Sequence, residues 1–255
     1  MVTIKTKQEI EILHKGGKIL AEILHFLAGE VRVGVSTKYL ETIARKKIEE
    51  AGAVPAFLKY TPRGAERPYP AALCLSVNDE VVHGIPNEKP KILKEGDIVS
   101  IDTGICFEKL YTDSAITVGV GKIDTNAKKL LKATQEALDS AISIVKPGTK
   151  TGDIGIAIAK VAKKYGFSPA EDLGGHGVGY SQHEDPFIPN FNMGKGGVEL
   201  KEGMVIAIEP MLNEGTGKVN FLSDGYTVVT KDGKRSAHFE HTVVVTKTGA
   251  EIITQ

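Results

Sequence analysis

Leu93-Lys94-Glu95-Gly96-Asp97-Ile98-Val99-Ser100-Ile101-Asp102 returns later in the chain as Leu200-Lys201-Glu202-Gly203-Met204-Val205-Ile206-Ala207-Ile208-Glu209, at an offset of 107 residues. What repeats is a short apolar strand with a carboxylate at its end. The period is too long for a solenoid, whose repeats run about 20 to 50 residues. It reads instead as two fused halves, roughly 6–120 and 125–250, related by a pseudo-twofold, so a site between them draws on both.

Working outward, each half begins with a pair of helices. Thr6-Lys7-Gln8-Glu9 has the form of a capping box, and Ile10, Leu13, Gly17, Leu20, Ala21 and Leu24 follow at helical spacing, which predicts a helix near 6 to 28. Leu40, Ile43, Ala44 and Ile48 mark a second near 37 to 51, stopped at Gly52. In the second half Leu130, Leu131, Ala137, Leu138, Ala141 and Ile144 mark one helix, and Ile154, Ile158 and Val161 another ending at Gly166. Val31-Arg32-Val33-Gly34-Val35-Ser36-Thr37 parallels Val145-Lys146-Pro147-Gly148-Thr149-Lys150-Thr151 at an offset of 114. The change of offset leaves extra residues in the first half, and turn-rich Thr61 to Pro68 is the place for them.

Composition excludes several classes. The 255 residues suffice for one large core and are read as one catalytic domain, 1–255. Lys plus Arg and Asp plus Glu both number 32, so no net field draws nucleic acid or an anionic membrane. The start lacks a signal-peptide core and no stretch nears the roughly 20 apolar residues of a membrane span, which predicts a cytoplasmic protein. Cys74 and Cys106 form no Cys-x-x-Cys pair and carry neither a zinc-thiolate site nor a disulfide framework.

Chemistry enters with the carboxylates. Ile98 to Asp102 and Leu110 to Val118 read as strands joined by a turn around Glu108, across which Asp102 and Asp113 can meet. Glu209 ends its strand just before Pro210, and Glu240 sits in an apolar run, Ala237 to Val245. Burying an ionised carboxylate without compensation costs several kcal/mol, and none of these strands sets a Lys or Arg beside its acid. Metal cations are the natural counter-charge: two divalent ions balance four carboxylates, and a neutral histidine can join them. His176, in Gly174-Gly175-His176-Gly177-Val178-Gly179, is the candidate. An oxygen-rich set with one imidazole favours manganese, iron or cobalt over structural zinc. Taken singly, each residue has a plain explanation as a turn cap, a loop histidine or a solvent-facing acid. Taken jointly, two acids at equivalent ends of a repeated strand and two more in neighbouring strands make a site.

In order and spacing, Asp102, Asp113, His176, Glu209 and Glu240 resemble the five ligands of the methionine aminopeptidases. The likeness extends through Ser76-Val77-Asn78-Asp79-Glu80-Val81-Val82-His83-Gly84-Ile85-Pro86, His183-Glu184-Asp185-Pro186 and Phe239-Glu240-His241-Thr242, and it is to the short, type I form. Only 33 positions separate His176 from Glu209, too few for the helical insertion of type II. The resemblance implies the α+β pita-bread fold, two pseudo-symmetric halves with a curved, mainly antiparallel sheet covered by helices.

It also implies a mechanism and partners. Asp102 would bind one ion, His176 and Glu209 the other, and Asp113 and Glu240 both, the two divalent ions being cobalt, manganese, iron or zinc. A bridging water or hydroxide would be the nucleophile, Glu209 the general base, with His183 stabilising the oxyanion and His83 bonding the substrate near the scissile amide. Tyr60, Tyr69, Cys74 and Tyr226 would line the methionine pocket. Gln182, grouped with them as substrate-binding, stands where the family often has an apolar or aromatic residue, Tyr226 where some members have tryptophan, and His238 where glutamine is commoner. The implied activity is removal of the initiator methionine from nascent polypeptides when the second residue is small, by a monomer that docks transiently at the ribosome. Two other readings compete. A proline-directed peptidase shares the ligand types but carries a large N-terminal domain, and a metal-free binding module for ribosomes or RNA would not keep five ligands.

Overall fold

A computed structural model of the chain describes residues 2–62 and 64–255. Helix α1 (Lys7–Glu30) starts from a reciprocal capping box, the Thr6 hydroxyl accepting from the Glu9 amide while the Glu9 carboxylate accepts from the Thr6 amide. Ser36 caps α2 (Thr37–Glu50), and the chain leaves it through Gly52 at a φ of 71°. Asp124 caps α3 (Thr125–Ser143), and α4 (Thr151–Tyr165) ends at Gly166 in the left-handed conformation that glycine adopts without strain. The helices expected near 6 to 28 and 37 to 51 thus occupy 7–30 and 37–50.

The strands of the first half are β1 (Val54–Pro55), β2 (Cys74–Val77), β3 (Glu80–Val82), β4 (Ile98–Phe107) and β5 (Leu110–Gly119). The second half contributes β6 (Ser168–Pro169), β7 (Gly174–Gly177), β8 (Glu184–Pro189), β9 (Val205–Ile208), β10 (Met211–Asn213), β11 (Val219–Phe221), β12 (Val228–Thr230), β13 (Ser236–His238), β14 (Glu240–Val245) and β15 (Ala250–Ile252). The main sheet has nine strands, ordered β1-β4-β5-β14-β9-β7-β8, with β2 beside β4 and β15 beside β14. Its pairings are antiparallel.

Two apolar cores lie under the two helix pairs. Leu20, Leu24, Leu40 and Ile48 pack with Ile101 and Ile105 of β4. Leu130, Leu138, Ile154 and Ile158 pack with Ile206 and Ile208 of β9. Because successive strand residues point to opposite faces, burying Ile101 and Ile208 under helices turns Asp102 and Glu209 to the other face of the sheet. The repeated strand therefore delivers its carboxylate to the same side in both halves.

One expectation needs correcting. The run Ala237 to Val245 is not a single strand: it breaks at Phe239, with His238 pairing Met211 in a small sheet ordered β13-β10-β6 and Glu240 opening β14 of the main sheet. The neighbouring chain breaks at the same level, β9 ending at Ile208 and β10 starting at Met211. Glu209 and Glu240 thus sit where two adjacent strands cross from one sheet to the other.

Candidate metal centre and substrate cavity

Five neighbouring strands of the main sheet, β4, β5, β14, β9 and β7, bring one of the five singled-out residues each. Asp102 on β4 and Glu240 on β14 both pair with Ala115 of β5, from opposite sides, and Asp113 lies two residues earlier on the same face of β5. Glu209 follows the last residue of β9, beside Glu240, since His241 pairs with Ile208. His176 is on β7, which pairs with β9. The glycine before it is obligatory, because a Cβ at Gly175 would lie 2.1 Å from the Ala207 carbonyl oxygen. All five residues line one cavity of about 570 Å³, with His83 and His183 beside them.

The distances suit ligation. One ligand atom each from Asp113, His176 and Glu240 lie within 4.8 Å of one another. His176 Nε2 is 3.6 Å from Glu209 Oε1 and 3.8 Å from Asp113 Oδ2. Its Nδ1 lies 2.8 Å from the Gly177 carbonyl oxygen, which can only accept, so the ring proton sits on Nδ1 and the Nε2 lone pair faces the acids. Burial pulls the His176 pKa down to about 4, keeping the ring neutral.

The carboxylates are held in a state that a cation would relieve. Burial pushes the pKa of Asp113 up to about 7. It pushes those of Asp102, Glu209 and Glu240 well above the usual range, and charge on the neighbouring acids adds to each shift. Among the described residues these acids have ion-pair contacts only with His176 and His238, not with Lys or Arg. Asp102 Oδ1 and Glu240 Oε1 are buried with no hydrogen-bond partner. Orphaned oxygens facing a shared cavity, one lone pair and no balancing positive charge form a donor set that fits divalent metal ions.

Three further histidines surround the acids. His83 adopts a φ of 60°, a left-handed conformation costing of order 1–3 kcal/mol that persists where the surroundings over-determine it. The His183 ring meets the His176 ring edge-on, 4.3 Å between centroids, and its Nδ1 lies 3.0 Å from the Tyr60 hydroxyl. Desolvation, reinforced by His176 and His83, pulls its pKa down, so it too is neutral near pH 7. His238 was singled out only as a departure from glutamine. It is buried, with Nε2 3.8 Å from Glu209 Oε2 and 3.9 Å from Glu240 Oε2, and neither ring nitrogen has a hydrogen-bond partner.

Tyr60, Tyr69, Cys74 and Tyr226 all line the cavity. The Tyr69 hydroxyl donates to the carbonyls of Leu73 and Gly84, and its ring meets Tyr226 edge-on at 5.0 Å. Phe57 and Phe221 complete the apolar wall and were not foreseen, since nothing in a lone aromatic residue separates cavity wall from core. The segment 61–68, whose Arg63 lies outside the described residues, supplies Pro62, Gly64 and Ala65 to the rim. Arg67 fastens it to the Asp224 carbonyl and the Glu88 carboxylate, and the Tyr226 hydroxyl donates to the Arg67 carbonyl. Gln182, grouped with the substrate-binding residues, meets the acid cluster. It is buried, its amide donating to Asp113 Oδ2.

A family description of metallopeptidase family M24 matches residues 11–247. The chain belongs to this family. It is 52% identical over 256 residues to a methionine aminopeptidase of Aquifex aeolicus, covering 100% of this chain and 99% of that one. The crystal structure of methionine aminopeptidase from Thermotoga maritima superposes with a TM-score of 0.94 at 43% identity, covering both chains fully. Prolidase from Pyrococcus furiosus superposes with a TM-score of 0.76 at 25% identity, over 99% of this chain and 65% of that one. The M24 chain described here therefore has the α+β pita-bread fold, its curled antiparallel sheet backed by four helices. Among its described residues no helix is long and apolar enough to cross a membrane.

Proposed function

We propose that this M24 metallopeptidase removes N-terminal methionine from polypeptides whose second residue is small, acting on nascent chains in the cytosol. The observation that carries the reading is the meeting of four acids and a neutral histidine, one from each of five adjacent strands, beside an apolar cavity walled by Phe57, Tyr69, Cys74 and Tyr226. An unbranched, polarizable thioether suits such aromatic and sulfur contacts.

Asp102 would hold one divalent ion, His176 and Glu209 a second, and Asp113 and Glu240 both. Bound there, the ions supply Lewis acidity toward water and the scissile carbonyl. Glu209, beside the ring of His176, would take the proton from the attacking water. Neutral His183 offers a ring N–H to the developing oxyanion, and Tyr60 steadies the ring through its other nitrogen. His83, fixed by its left-handed backbone, hydrogen-bonds the substrate next to the scissile amide.

The test is substrate choice. Purified protein supplied with Mn(II) or Co(II) releases methionine from Met-Ala and Met-Gly peptides and leaves Met-Lys and Xaa-Pro peptides intact. Cleavage of Xaa-Pro in preference to Met-Ala would place the activity with the prolidases.

A further inference from the structure

Gln182 immediately precedes His183 and is buried, and its side chain meets a carboxylate of the acid cluster. Its Nε2 donates to Asp113 Oδ2, while Asp113 Oδ1 accepts from the Ser114 amide at 3.1 Å. Both oxygens of this carboxylate are therefore oriented by hydrogen bonds. The room for the amide comes from the opposite strand, where Gly104 pairs directly with Asp113. A Cβ at Gly104 would lie 2.7 Å from Gln182 Oε1, closer than real Cβ atoms come, and 3.0 Å from Nε2, so the amide would have to shift. Glycine there is a slot for the glutamine side chain.

The loop carrying Gln182 is itself anchored. Glu184 accepts from the Ser181 amide at 3.1 Å and pairs with the buried Lys5 ammonium at 2.8 Å. A side chain delivered from so constrained a loop can hold a rotamer. As a neutral donor it also orients Asp113 without neutralising it, leaving the negative charge for a cation.

We propose that Gln182 is a positioning residue of the metal centre, its amide fixing the rotamer of Asp113 and tying that carboxylate to the loop that carries His183. The proposal rests on Asp113 being a metal ligand. Hydrogen-bonded partners of metal ligands typically contribute about 10- to 100-fold to metal affinity, and this is the expected loss.

Gln182→Met removes the donor while keeping the length, and Gly104→Ala closes the slot while leaving the glutamine. Each full-length variant is titrated with Mn(II), its Co(II)-loaded absorption spectrum is recorded, and its metal-free melting is followed as a check on folding. We expect both to bind Mn(II) about 10- to 100-fold more weakly, with an altered Co(II) spectrum. The double variant should be no worse than the weaker single, because both act through one contact. Mn(II) affinity within twofold of the parent and an unaltered spectrum in Gln182→Met would overturn the proposal. If that variant does not fold, the same result in Gly104→Ala overturns it. Asp113→Ala is the control: if it keeps Mn(II) bound, the metal-site reading itself falls, whereas loss there with no change at Gln182 removes only this inference.

Discussion

Asp113→Asn should make the metal-free protein more stable above neutral pH while destroying its metal site. Burial raises the folded-state pKa of Asp113 to about 7 from an ordinary 3.8. The folded chain thus holds a proton that the unfolded chain releases, and stability falls as pH rises from near 4 to near 7, then levels off. At 1.36 kcal/mol per pKa unit the loss approaches about 4 kcal/mol, an upper bound for one site among coupled acids. Asparagine keeps an oxygen for the Ser114 amide and turns an NH2 toward Gln182, whose amide must rotate to accept through Oε1, at a cost of roughly 1 kcal/mol. Metal-free Asp113→Asn should therefore exceed the parent by up to about 3 kcal/mol at pH 8 and lie close to it or slightly below at pH 4. Urea unfolding of chelator-treated proteins at both pH values measures this. A variant no more stable than the parent at pH 8 would refute the claim that an uncompensated buried charge, rather than backbone architecture, dominates this cluster.

Two further outcomes follow from the same geometry. His183→Ala should lower kcat by about 10²- to 10³-fold, the usual cost of an oxyanion donor, while Mn(II) affinity measured by titration stays unchanged; a collapse of affinity would make His183 a ligand instead. Lys5→Met removes the cation paired with the Glu184 carboxylate, which keeps its hydrogen bonds from the Tyr180 and Ser181 amides, and should cost about 1.5–3 kcal/mol in urea unfolding, with Lys5→Met/Glu184→Gln recovering most of it; a single-variant cost below about 1 kcal/mol would mean that solvent reaches the pair.

What could be read in the chain was what violates a pattern. Asp102 and Glu209 stand out because a strand apolar on its helix-facing side carries an acid at the equivalent position in each half; the structure runs β4 on to Phe107, so Asp102 lies mid-strand while Glu209 follows the end of β9, and both acids lie on the face opposite the cores of Ile101 and Ile208. The four helices were legible because capping and spacing act within a few residues, as Thr6 and Glu9 do. The roles of Gln182 and His238 were not legible, and the reason is physical. A neutral side chain beside a motif carries no charge anomaly, and its direction depends on distant chain. Gln182 reaches Asp113 only because Gly104, on another strand, lacks a Cβ. His238 comes between Glu209 and Glu240 only because the chain changes sheet at Phe239, where hydrophobic alternation by itself predicts one unbroken strand. Charge burial is a local signature that survives in sequence, whereas the neutral groups that orient those charges are chosen by tertiary geometry. An M24 chain can therefore keep all four acids and the histidine in register while the residues that orient them differ, and at Gln182 and His238 such differences should first register in metal affinity.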